Sequence, residues 1–474
     1  GITEQNHREK YPRVAELPFD SVRKYMSTLH DIDGQRVLLV KGAPDELLRQ
    51  TTHVLINGEV REITSDDQVN ILNQNNKFAE EGLRVLGYAF RYFDDDELDF
   101  KHEDHLIFVG LTSMIDPPRE ESKEAVAKAI RAGIKPIMIT GDHVVTGRPI
   151  ARKIGIFQEG DMVLDGATLE KMSDEELARD LEKISVYARV APEHKIRIVN
   201  AWQAKGKVVG MSGDGVNDAP ALKQADIGIA MGITGSEVSK DAADMILTDD
   251  NFATIIKAVT VGRNLFANIK NAIKYLLTGN SSAIIVVILT TFMAFFDSKF
   301  VVPFLAIQLL FINLVTDSLP AISIGMEEGT EAVLDDAPRD PNESILTAKT
   351  FKEVISGAIL IAIAVMVAYL IGVNTGKGYA TTFAFLVLCL GRLFHGFSCR
   401  SDLSLSKIGI FSNKNTVYAF LVGLALVALI VFVPAIGGMF GVVSLSLSQI
   451  LTILGLAFAP TLVVQAIKMI RYSK

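Results

Sequence analysis

From about residue 265 onward the chain carries six apolar runs, each near the ~20 residues that a membrane-crossing helix needs. They cover roughly 269–296, 301–325, 352–373, 379–398, 416–436 and 446–467. Short polar turns, Asp297–Phe300 and Asn374–Gly378, separate the first run from the second and the third from the fourth. The longer segments 327–350 and 399–415 hold Arg339, Lys349, Arg400, Lys407 and Lys414, and the tail holds Lys468, Arg471 and Lys474. By the positive-inside rule those segments face the cytoplasm. The expectation is a multi-pass protein of the lipid bilayer with its first half as a cytoplasmic head. These runs explain a mean hydropathy of +0.30 in a chain whose first half is charged and mixed. A net charge of −8 argues against a nucleic-acid binder. Two cysteines, Cys389 and Cys399, imply no disulfide framework. The chain opens at Gly1 without an initiator Met, and reads as a piece of something longer.

The first half is organised around Val208-Val-Gly-Met-Ser-Gly-Asp-Gly-Val-Asn-Asp-Ala-Pro220. An apolar run stops at turn residues, and Asp214 and Asp218 sit four apart with Asn217 beside them. Two carboxylates and an amide at a strand's carboxyl end suit Mg2+. Upstream, strands expected at Leu106–Met114, Lys135–Asp142, Ser185–Val190, Lys207–Met211 and Ile227–Met231 alternate with helices, which implies a doubly wound parallel sheet. Ligands of such sheets sit at the carboxyl ends of the strands. Asp116, Thr140, Asp142, Arg189, Lys195, Asp214 and Asp218 all lie at or just past those ends. Thr140 and Lys195 are placed to hold phosphoryl oxygens and Asp214 a metal, the positioning that phosphoryl transfer needs. No Gly-x4-Gly-Lys-Ser/Thr loop occurs, which excludes a P-loop enzyme. Residues 1–109 read as strands and helices with a hairpin at Asp33-Gly34. Phe19, Lys41 and Arg84, ordinary singly, together offer an aromatic platform and cationic walls for a nucleotide.

Polar residues inside spans are costly and usually serve transport or helix packing. Asn280 lies in the first run, and Asn313-Leu-Val-Thr-Asp317, followed by Pro320, in the second. Asn313, Thr316 and Asp317 project neighbouring oxygens at i, i+3 and i+4, a set that suits Ca2+.

Thr140-Gly-Asp142, Arg189-Val-Ala-Pro-Glu-His-Lys195 and Gly213-Asp-Gly-Val-Asn-Asp-Ala-Pro220 resemble the phosphorylation-domain motifs of P-type ATPases, members of the haloacid-dehalogenase superfamily. Lys41-Gly-Ala-Pro44 and Leu83-Arg-Val-Leu86 resemble that family's nucleotide-binding domain, and Asn313–Asp317 looks like the sixth-helix motif of its calcium pumps. The resemblance covers essentially the whole chain. It implies an α/β doubly wound phosphorylation domain (110–250), part of an α+β nucleotide-binding domain (1–109) and a six-helix transmembrane bundle (251–474). It implies Phe19 stacked on adenine, Lys41 and Arg84 lining the ATP pocket, and Thr140, Gly141, Asp142, Arg189, Lys195 and Asn217 on ATP or the phosphoryl group. Asp214 would hold Mg2+ with Asp218 in support.

The resemblance also marks departures. Calcium pumps often carry an Arg where this chain has Ser21, and Arg23 is the candidate substitute. A fifth-helix Glu aligns with Ala283, and an eighth-helix acid or amide with Arg392, which would either snorkel to the interface or act as a fixed cation in place of a second ion. No Asp-Lys-Thr-Gly, the motif that becomes phosphorylated, occurs. The expectation is therefore the carboxyl-terminal half of a bacterial plasma-membrane Ca2+ pump, one Ca2+ per ATP, working with a missing amino-terminal half. The alternatives are a Na+ or Mn2+ pump of the same class, or a non-catalytic nucleotide-binding half.

Overall fold

The computed structural model describes residues 4–20, 23–94, 97–114, 118–142 and 144–471. Asp116 and Ser21 lie outside the described residues. The chain divides into two units, residues 1–256 and 257–474.

The first unit opens with a seven-stranded sheet of β1 (Arg13–Leu17), β2 (Tyr25–Ile32), β3 (Gln35–Gly42), β4 (Thr51–Ile56), β5 (Glu59–Glu62), β6 (Arg84–Tyr92) and β7 (Leu106–Met114), in the order β1-β2-β3-β6-β7-β4-β5. Asp33 and Gly34 take φ of 50° and 84°, the left-handed pair that a tight hairpin needs, and β2 and β3 pair from Ile32↔Gln35 back to Tyr25↔Gly42. Helices Pro44–Arg49 and Ser65–Glu80 cover the sheet, the second started by a reciprocal Thr64–Asp67 cap. Leu29, Leu38, Val40, Leu47, Ala89 and Leu106 form one buried cluster. Leu106–Met114 departs from expectation. It is not the first strand of the parallel sheet but pairs antiparallel with β6, from Arg84↔Met114 to Phe90↔Ile107, and parallel with β4. Its mixed alternation suits a strand walled on one face only, which is how an antiparallel sheet uses it.

Beyond β7 the strands are parallel and form two sheets of three rather than one continuous sheet. β8 (Met138–Thr140), β9 (Met162–Asp165) and β10 (Ile184–Ala188) order as β8-β10-β9. β11 (Gly210–Gly213), β12 (Ile227–Met231) and β13 (Met245–Leu247) order as β11-β12-β13. All five residues of β10 are buried, as a central parallel strand with both faces covered requires. Ile139 of β8 packs with Val199 and Met211 of β11, so apolar contact joins the two sheets where hydrogen bonds do not.

The second unit holds five of the six apolar helices and most of the first: α1 (Phe252–Phe296), α2 (Ala306–Gly325), α3 (Ala348–Thr375), α4 (Tyr379–Cys399), α5 (Lys414–Phe432) and α6 (Leu447–Arg471). All six are long and apolar enough to cross a membrane. Several bounds differ from the hydropathy reading, and two of the differences have a plain cause. α1 starts at Phe252 rather than near 269, because Lys257, Arg263 and Lys270 hide a helix from an apolarity count. α5 ends at Phe432, since Pro434 opens a separate short helix, Pro434–Met439. α4 is the axis of the unit: Phe383–Cys389 are buried without a break, and α4 packs against α3, α5 and α6.

Candidate functional site

The first cluster lies at the ends of the parallel strands. Gly213 ends β11 where a Cβ would fall 2.5 Å from that of Asp218, so glycine is what lets the loop close. Buried Asp218 then ties the loop. One carboxylate oxygen accepts the amides of Asp214 and Gly215, each at 3.1 Å, and the other accepts the Lys195 ammonium from helix Pro192–Ala204. Burial pushes the Asp218 carboxyl up, but Lys195 and the two amides outweigh it and hold it below the usual carboxylate range. The Asp214 carbonyl accepts the Ser236 amide at 2.8 Å and the hydroxyl of fully buried Ser239 at 3.1 Å. With its backbone held from both sides, Asp214 presents an exposed carboxylate that has no hydrogen-bond partner among the described residues, and Asn217 is exposed beside it.

At the end of β8, the Thr140 hydroxyl accepts the Asp142 amide at 3.0 Å and lies 3.2 Å from the Asp142 carboxylate. Arg189, at φ 51°, donates its amide to the Asp142 carbonyl at 3.0 Å and fastens this loop to the end of β10. Two groups are therefore bonded internally: Lys195, Asp218 and Asp214, and Thr140, Gly141, Asp142 and Arg189. Between the groups the link is the Ile139–Met211 apolar cluster.

The nucleotide trio is more dispersed. Phe19 is 61% exposed, and Lys41 on β3 and Arg84 on β6 are exposed. Lys41 pairs with Tyr88, four residues from Arg84, so both cations stand on one face about 13 Å apart along the strand. Arg23 is engaged elsewhere. It pairs with buried Glu103, stacks over Tyr25 and Phe100, and donates to the Pro18 carbonyl at 2.6 Å, anchoring the segment that carries Phe19. Its guanidinium is not free to stand in for an Arg at position 21.

The second cluster lies among the apolar helices. Arg392 of α4, 1% exposed, donates to Asp317 of α2 at 2.5 Å and to the Asn280 carbonyl oxygen of α1 at 3.3 Å. It does not snorkel to an interface. Gly279 makes the room, since a Cβ there would lie 2.8 Å from Arg392 Nε. Asp317 Oδ1 and Arg392 Nε are buried without hydrogen-bond partners among the described residues. Residues Ile312–Asp317 form a π-helical turn. The Thr316 carbonyl would bond the amide of residue 320, which is proline and has none; the buried Tyr275 hydroxyl donates to it instead, at 2.9 Å. Thr316 is buried with its hydroxyl on the Ile312 carbonyl, whereas Asn313 and Asn280 are exposed. Tyr275, Gly279, Ser236 and Ser239 escaped the sequence reading. Only Pro320 signalled one of them, as a missing donor that some neighbour had to replace.

Two family models match the chain: "Cation transporting ATPase, C-terminus" over residues 301–470 and "P-type ATPase, cytoplasmic domain N" over residues 1–121. The chain is similar to calcium-transporting ATPase 1 of Lactococcus lactis, 45% identical over 99% of this chain and 53% of that protein. It is 44% identical to the calcium-transporting ATPase lmo0841 of Listeria monocytogenes, over 98% of this chain and 52% of that protein. A calcium-transporting ATPase 1 of Saccharomyces cerevisiae is 37% identical over 94% of this chain and 48% of its own length. The chain spans about half the length of the curated relatives it matches.

Proposed function

Because the chain belongs to the P-type ATPase family, we propose that it is the carboxyl-terminal half of an ATP-driven Ca2+ pump. In this reading Phe19, Lys41 and Arg84 bind ATP, and the loops ending β8, β10 and β11 receive the phosphoryl group. Thr140, Gly141, Arg189 and Asn217 provide donors, Asp142 lies against ATP or the phosphoryl group, and Lys195 provides a positive charge. Asp218 keeps the loop in shape while Asp214 projects its carboxylate. A single unpartnered carboxylate beside an exposed amide oxygen fits Mg2+, which is commonly bound through one or two carboxylates together with water and phosphate. Bound there, Mg2+ would neutralise charge on the transferring phosphoryl group. The aspartate that carries the phosphoryl group is not in this sequence and must come from another part of the pump.

For the transported ion, the reading takes Asp317, Asn280, Asn313 and Thr316 as the Ca2+-facing set. Arg392 occupies the neighbouring position as a permanent positive charge, which leaves room for one Ca2+ per ATP. The observation that carries the proposal is the buried Asp317–Arg392 pair joined to the exposed Asn280, with one Asp317 oxygen unclaimed among the described residues, in a chain 99% of which aligns with a calcium-transporting ATPase. The test is phosphorylation of the complete pump from labelled ATP. Acid-stable, hydroxylamine-labile label that requires Ca2+, and that D317N abolishes, is the expected result. Label indifferent to Ca2+ sinks the ion assignment, and two bound Ca2+ per phosphorylation site sinks the role given to Arg392.

A further inference from the structure

A cavity of about 130 Å³ opens among α1, α3, α4 and α6, at the end of the bundle that the positive-inside rule assigns to the cytoplasm. It is roughly tenfold larger than the space one water needs. Its polar side is unusual. Lys274 is 9% exposed and has two acceptors for three N–H groups, Glu353 at 3.1 Å and Asp402 at 2.9 Å. The Lys468 ammonium likewise has two acceptors, the carbonyls of Ser398 and Ser401. His395, 6% exposed, lines the cavity with its Nδ1 buried and unpartnered. The Cys399 thiol lies 3.2 Å from His395 Nε2. Each of the two ammonium groups thus keeps one N–H without an acceptor among the described residues. The lining cations Lys274, Lys468 and Arg471 outnumber the carboxylates Glu353 and Asp402 by one. The rest of the wall is apolar, with Leu360, Val464 and an exposed Ile467.

We infer that this cavity binds a singly charged phosphate group, and that the group is carried by an anionic phospholipid. A phosphodiester monoanion supplies acceptors to the two lysines, and its charge is opposite to that of the described lining, where cations outnumber carboxylates. Leu360, Val464 and Ile467 then meet the acyl chains, a contact that free phosphate does not use. Basic pockets between helices at a cytoplasmic membrane face bind lipid headgroups by this chemistry. The site is independent of the ion-transport reading, since it shares no residue with the Asp317 cluster.

The test is native mass spectrometry of the full-length protein carrying this chain, titrated with phosphatidylglycerol, phosphatidylcholine or inorganic phosphate. Phosphatidylglycerol is expected to bind more tightly than phosphatidylcholine, and K468Q to weaken it about fivefold. S356F, which plugs the mouth without altering a charge, is expected to weaken both the binding and the preference. If K468Q does not fold, the S356F protein and the lipid preference of the unaltered chain decide. Inorganic phosphate bound without any lipid preference, and weakened by the same variants, keeps the phosphate site and overturns its lipid source. Equal binding of the two lipids with no bound phosphate, or variants that bind like the parent, overturns the site altogether.

Discussion

At its candidate site each unit of the molecule holds a buried carboxylate paired with a cation, Asp218 with Lys195 and Asp317 with Arg392, and the two pairs are built on opposite plans. Asp218 meets Lys195 and two backbone amides, so both its oxygens are claimed. Asp317 meets Arg392 alone; one of its oxygens and the Arg392 Nε stay buried without hydrogen-bond partners among the described residues. A buried polar group left unmatched is costly, and the cost grows where water is excluded. A closed knot such as that of Asp218 shapes a loop and leaves the neighbouring Asp214 carboxylate exposed. An incomplete one keeps its own binding capacity in reserve. Under the proposed function the comparison would give Asp218 a positioning role and Asp317 a binding one, although sequence reasoning put both among the metal-binding acids.

The largest expected effect comes from opening the membrane pair. R392L leaves Asp317 buried with no counter-charge and should destabilise the bundle by about 3–5 kcal/mol. The loss would be read as a lower midpoint of helix unfolding by circular dichroism in detergent. Replacing both members, as D317L with R392L, should recover most of it, because two apolar side chains leave no charge uncompensated. A single variant as stable as the parent would mean that the pair is hydrated, and the contrast with Asp218 would collapse.

D218N sharpens the other side. It removes the negative charge facing Lys195 and replaces one of the two accepting oxygens by an NH2 group, so either Lys195 or the Asp214 and Gly215 amides lose their acceptor, for an expected loss of about 1–3 kcal/mol. The protein's single tryptophan, Trp202, is buried in the same unit, so its fluorescence reports this unit's unfolding. D214N should leave that midpoint unchanged, since the Asp214 carboxylate bonds nothing among the described residues. Equal destabilisation by D214N and D218N would erase the distinction between the carboxylate that shapes the loop and the one that binds.

What could be read from the sequence follows the same divide. Features set by neighbours in the chain were legible: the Asp33-Gly34 hairpin, the helix over 144–154, the strand over Ile227–Met231 and the six apolar spans. Features set by distant partners were not. Leu106–Met114 reads as a strand in any context, and only its pairing with β6 and β4 decides which sheet it joins. The Asp317–Arg392 bond joins positions 75 residues apart, and nothing local to either predicts it. The Lys195–Asp218 pair spans 23 residues and was hidden because both residues already had plausible roles of their own. Pro434 was legible as a helix stop, but the apolar run around it masked the signal.

The smallest expected effect concerns a third acid, Asp250, whose carboxylate pairs with no cation among the described residues and is held by donors from a single loop. Its oxygens accept the amides of Ile233 at 3.0 Å and Thr234 at 2.8 Å, and the Thr234 hydroxyl at 2.8 Å. That loop leads directly into Ser236 and Ser239, which fasten the Asp214 carbonyl. The Ile233 amide first, then those of Thr234, push the Asp250 carboxyl down to about 2. Its unfolded value is about 3.9. A carboxyl whose folded value is the lower one stabilises the fold above the unfolded value and loses that contribution as pH falls through the folded value. The Asp250 contribution should therefore be intact at pH 5 and fade between about pH 4 and pH 2. In D250N the Trp202 midpoint should be lower at pH 5, and the difference from the parent should shrink towards pH 2. A difference that persists unchanged at pH 2 would show that the loop needs the shape of the aspartate and not its charge. Asp250 would then join the packing that supports Asp214 and leave the electrostatics to Asp218.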